Sequence, residues 1–74
     1  RAISFSPDAA AIYVAAVVRV SAESGESVTD LARVSAKRVN RLRPLFQWEA
    51  MVPNEIKSLV EGQVHAAAAE LKAR

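Results

Sequence analysis

Apolar residues return at every third or fourth position through most of this chain, and no alternating pattern is long enough to assign to a strand. That period belongs to helices, because 3.6 residues make a turn and one face goes inside. Ala9, Ile12, Tyr13, Ala16, Val17 and Val20 form one stripe. Val28, Leu31, Ala32, Ser35, Val39 and Leu42 form a second, and Ile56, Leu59, Val60, Val64, Ala67 and Leu71 a third. The chain therefore reads as all-α, a single small helical domain over residues 1–74, an irregular bundle of three or four helices. No membrane span is expected. The apolar run Ala9–Val18 is bounded by Asp8 and Arg19, and a span needs about 20 apolar residues.

Prolines and glycines divide the helical pattern. Residues 1–6 read as an extended lead-in. Ser6-Pro7-Asp8 is a helix start: serine caps, proline fits the first turn, and aspartate favours the positive end of the helix dipole. Gly25 allows two readings. It can sit just past a helix end, with Ser27 capping the next helix and Asp30 completing a capping box. It can also be an interior glycine, tolerated at about 1 kcal/mol, in one helix running on to about Val34. Local chemistry favours the break. Arg43-Pro44 is expected to end the second helix, since proline lacks an N–H and restricts the residue before it. Residues 44–51 then read as a short helix carrying Leu45, Phe46 and Trp48. The last helix runs from Pro53 to Lys72, and Gly62 within it marks either a weak point or a close backbone approach.

Seventy-four residues without a cysteine give neither a disulfide framework nor a thiolate metal site. A core of this size is marginal alone, and much of its apolar content is alanine and valine, which bury little area each. The first helix is also apolar on its other side, at Ala10, Ala11, Val14 and Val18. Helices apolar all round are usually covered on several sides. Both observations favour a helical protein partner.

No catalytic constellation stands out. There is no Gly-rich phosphate loop, no nucleophile elbow, and one histidine, His65, too few for an imidazole metal cluster. Glu61 and His65 stand four apart and read as a surface pair. The expectation is a non-enzyme with no cofactor, no metal and no small-molecule substrate. Phe46 and Trp48 could stack on bases, but two aromatics in one apolar segment more often anchor a core or an interface.

The basic residues carry the functional signal. The chain has net charge +2, yet Arg33, Lys37, Arg38, Arg41 and Arg43 fall in "RVSAKRVNRLRP", and no acid lies between Asp30 and Glu49. A surface built only for solubility mixes signs. Clustered cations neutralise phosphates and release counterions. If the segment is helical, Arg33, Lys37 and Arg41 share one face at a spacing of four. A helix-turn-helix is a poor fit, because "VTDLARVSAKRVNRL" leaves no room for the turn.

At "IYVAAVV", Ile12–Val18, the chain resembles the start of the long central helix of the histone H2A family. Lys37-Arg38 fall where that family has a basic loop, "PLFQWEAM" near its short third helix, and "NEIKSLVEGQVHAAAAEL" on its C-terminal segment. The resemblance implies a histone-fold-like fragment whose first helix continues through Gly25. It implies that Lys37, Arg38, Arg41 and Arg43 lie on or beside a loop gripping DNA phosphates. Ser6 would cap the central helix at the other phosphate-facing loop, and Tyr13, Val17 and Leu31 would pack against a helical partner. Binding would follow duplex shape and charge, without base reading. The function expected is a non-enzymatic DNA-binding or packaging module, intracellular and in chromatin. The alternative is a helical accessory subunit of a larger assembly, for example in an organelle.

Overall fold

The computed structural model describes residues 7–48 and 53–74, with side chains at 10–42 and 54–74. Three helices account for nearly all of this: α1, Pro7–Ser24; α2, Val28–Trp48; and α3, Pro53–Lys72. The chain is a small all-α domain, and the described residues hold no strand. The extended lead-in expected over residues 1–6, with the cap expected at Ser6, lies outside the described residues.

Gly25 breaks the first helix. Its φ is +81°, a backbone conformation that costs a side-chain-bearing residue about 1–2 kcal/mol. Its N–H donates to the Ser21 carbonyl at 3.0 Å, closing the last turn of α1. The Ser21 hydroxyl reaches across the turn to the Glu26 carbonyl at 2.6 Å. Ser27 then caps α2, its Oγ accepting from the Asp30 N–H at 3.0 Å. One continuous helix across this point, which the H2A resemblance implies, is not what the chain forms.

Pro44 does not end α2. The backbone stays helical through it to Trp48, so the separate short helix expected over 44–51 is absent as far as Trp48, and residues 49–52 lie outside the described set. Proline removes one donor from the ladder, but the turns on either side keep theirs, and Leu45, Phe46 and Gln47 are compatible with a helix. Gly62 likewise leaves α3 unbroken. No atom comes within 4 Å of where its Cβ would stand, so no close approach requires a glycine there.

The three stripes meet in one core. Ala16, Val17 and Val20 of α1, Leu31 and Val39 of α2, and Ile56, Val60, Val64, Ala67 and Ala68 of α3 are buried. The first halves of α1 and α3 lie together, Ala11 to Arg19 beside Lys57 and Glu61. The end of α3 lies against the first half of α2, with Arg74 near Arg33 and Asp30. Val28 and Ala32 meet Tyr13, Val14, Val17 and Val18. The bundle thus runs up-down-up.

Among the described residues one polar side chain is fully buried. Ser35 has no exposure, and its hydroxyl donates to the Leu31 carbonyl one turn back. The Tyr13 hydroxyl donates to the Ala32 carbonyl at 2.9 Å and lies 2.9 Å from Ser35 Oγ. Every polar atom of this cluster has a partner, as burial demands. The cluster fixes the rotation of α2 against α1, and therefore which α2 side chains face outward.

Candidate functional site

Because α2 is helical from Val28 to Trp48, its cations hold fixed positions. Arg33, Lys37 and Arg41 repeat every four residues, about 6 Å apart along the axis. A loop between Ser35 and Arg43, the arrangement implied by the H2A resemblance, would have scattered them. Leu31, Ser35 and Val39 are buried, which turns the row of cations out of the core. Arg33, Lys37 and Arg41 are exposed and Arg38 is half-buried.

These cations border a groove between α2 and the end of α3. It has a volume of about 230 Å³ and is lined by Arg33, Val34, Lys37, Arg38, Arg41, Glu70 and Arg74. Four of the five sequence-identified cations therefore come together around it. The Arg43 side chain lies outside the described residues. The groove adds Arg74 and Glu70, which stand about thirty or more positions away along the chain. The sequence signal for Glu70 is the phase of the α3 stripe, which sets it on an outward flank, whereas Arg74 lies past the end of α3 at Lys72 and has none.

The charges in the groove are not equivalent. The Arg33 guanidinium donates to Asp30 Oδ1 at 3.1 Å, a pair three residues apart on the surface. That hydrogen bond, helped by the Ser27 hydroxyl, holds the Asp30 carboxyl below its ordinary range. Arg33 is thus already occupied. Among the described residues, Lys37, Arg38, Arg41 and Arg74 form no ion pair within 4 Å, and neither does Glu70. Some of this positive charge complements the negative end of the α3 dipole, but five cations against Asp30 and Glu70 leave a clear excess.

The residues expected at a partner interface divide differently. Val17 and Leu31 are 3% and 0% exposed, so this chain's own core uses them and no surface of theirs is left for a partner. Tyr13 is half-buried and held by Ala32 and Ser35. The side chains of Phe46 and Trp48 lie outside the described residues. Among the described residues, the large apolar side chains left open are Val14, Val18 and Val28, at 60%, 55% and 48% exposure. They flank a shallow notch between α1 and α2, on the side of α2 away from the cationic groove.

Glu61, four residues before His65, instead pairs with Arg19 of α1. Among the described residues no three of His, Cys, Asp and Glu gather to hold a metal ion. Among them, too, no helix is long and apolar enough to cross a membrane. Comparison with family models, curated proteins and solved structures finds no match for this chain.

Proposed function

We propose that this chain is a small non-enzymatic module that binds nucleic acid through its backbone phosphates. The observation that carries the reading is the groove in which Lys37, Arg38 and Arg41 of α2 meet Arg74, just past the end of α3, none of them in an ion pair among the described residues. Guanidinium groups match phosphate oxygens in charge and in donor geometry. Such contacts position a strand without reading its bases. A histone-like packaging role on duplex DNA is the more specific form of this reading. It rests on the H2A resemblance, which the break at Gly25 does not favour, whereas phosphate binding rests on the groove.

The direct test is fluorescence anisotropy of labelled oligonucleotides, single-stranded and duplex, at low salt. The variant changes Lys37, Arg38, Arg41 and Arg74 together to Gln, with circular dichroism to confirm that it stays helical. The native chain should bind and the variant should not. A folded native chain that binds neither oligonucleotide would end the proposal.

The second reading, an accessory subunit of a larger helical assembly, is favoured by the open valines of α1 and α2. It adds to phosphate binding without replacing it, because the two surfaces lie on different sides of α2. Val14→Glu with Val18→Glu should abolish such assembly and leave oligonucleotide binding unchanged.

A further inference from the structure

Among the described residues Glu70 is the one carboxylate lining a groove bordered by five cations. Arg74 stands four residues further on, two positions past the end of α3 at Lys72. Among the described residues Glu70 forms no ion pair within 4 Å. Its oxygens are therefore open acceptors in a site whose other charged groups only donate. A carboxylate here repels phosphate, so a groove serving phosphate alone would be better without it. It has a use if the ligand carries a donor beside its phosphates.

Resting on the phosphate-binding reading, we propose that the groove takes the sugar–phosphate backbone of one RNA strand, with Glu70 accepting a hydrogen bond from a ribose 2′-hydroxyl. The groove holds about 230 Å³ on the surface where α2 meets the end of α3. One strand's backbone can enter such a cleft, whereas a whole duplex can only lie across its mouth. Cations stand on both sides, Lys37, Arg38 and Arg41 on α2 and Arg74 just past the end of α3, so phosphates are held on either side of the sugar. The 2′-hydroxyl is the donor that RNA has and DNA lacks. Glu70 supplies its acceptor and charges DNA the repulsion with nothing in return.

The test compares single-stranded RNA and DNA oligonucleotides of one sequence by fluorescence anisotropy, at one low salt concentration, for the native chain, Glu70→Gln and Glu70→Ala. Glu70 is exposed, so both variants should fold, and circular dichroism checks this. The native chain should prefer RNA by roughly fivefold, the scale of one hydrogen bond in a wet site. Glutamine removes the charge but keeps a carbonyl acceptor, so both ligands should bind more tightly and the preference should persist. Alanine removes the acceptor, so DNA should gain more than RNA and the ratio should fall to about one. Equal affinities for the native chain, or a preference that survives in Glu70→Ala, would overturn the 2′-hydroxyl contact and leave phosphate binding intact. Failure of the native chain to bind either strand would overturn phosphate binding itself, and this proposal with it.

Discussion

The occupancy of Arg33 makes a sharp prediction about salt. For a single strand, log K falls with log[salt] by about 0.7 per phosphate neutralised. The groove offers Lys37, Arg38, Arg41 and Arg74, while Arg33 is held by Asp30 at 3.1 Å. Four contacts give a slope of about −2.8, or roughly a fiftyfold loss of affinity between 50 and 200 mM salt. Replacing Asp30 with Asn releases Arg33. The slope should steepen to about −3.5, and the same salt step should cost roughly 130-fold. Lys37→Ala with Arg41→Ala should move it the other way, to about −1.4 and roughly sevenfold.

Anisotropy titrations at four or five salt concentrations read these slopes directly. Asp30→Asn keeps the backbone N–H that bonds to Ser27 Oγ, so α2 retains its cap. An unchanged slope in Asp30→Asn would show that Arg33 already contacts phosphate, and the occupancy argument would be wrong. An unchanged slope in the Lys37/Arg41 variant would remove those side chains from the site altogether.

Five further outcomes test the fold. Gly62→Ala should stabilise the chain by about 0.8–1 kcal/mol, since α3 is helical there and the space beyond Cα is open; Gly25→Ala should destabilise it by about 1–2 kcal/mol, because of the positive φ. Urea melts of both variants against the native chain measure the difference. Ser27→Ala should cost about 1 kcal/mol through the lost cap on α2. Tyr13→Phe removes the bond to the Ala32 carbonyl and should also cost about 1 kcal/mol, a fall of roughly 4–8 °C in Tm for a domain of this size. Because the Asp30 carboxyl is held below its ordinary range, its contribution is fully present above about pH 3.9 and disappears as pH falls through the lowered value. Acid melts of native chain and Asp30→Asn should therefore converge at the acid end.

Local chemistry was legible in the sequence, and contacts between distant segments were not. Gly25, Ser27 and Asp30 foretold the break between α1 and α2 because capping involves only neighbours. The α3 stripe picked out Ile56, Val60, Val64 and Ala67 because a helical period reports which face is inside. Pro44 misled, since the rule that proline ends helices takes no account of the turns on either side. Val17 and Leu31 read equally well as core or as interface, because both demand the same residue types. The Arg19–Glu61 pair spans 42 residues and left no local trace. Arg74 and Glu70 completed the groove only once α3 was folded back along α2.

The course of α2 ties these results to the site. A single helical register buries Leu31, Ser35 and Val39, turns Val28 and Ala32 toward α1, and sets Val34 and Arg38 beside the end of α3. The Tyr13 hydroxyl, bonded at Ala32 and beside Ser35, fixes that rotation from the opposite flank. The groove is therefore a consequence of core packing. Its cations need no loop to present them, and their order survives as long as the buried stripe does. A conservative change at Val39 or Leu31 should then weaken phosphate binding only by unfolding the chain. Changes at Lys37 and Arg41, one helical turn apart on the solvent side, should weaken it with the fold intact. This separation between buried and exposed positions on one helix is what makes the binding proposal testable without ambiguity.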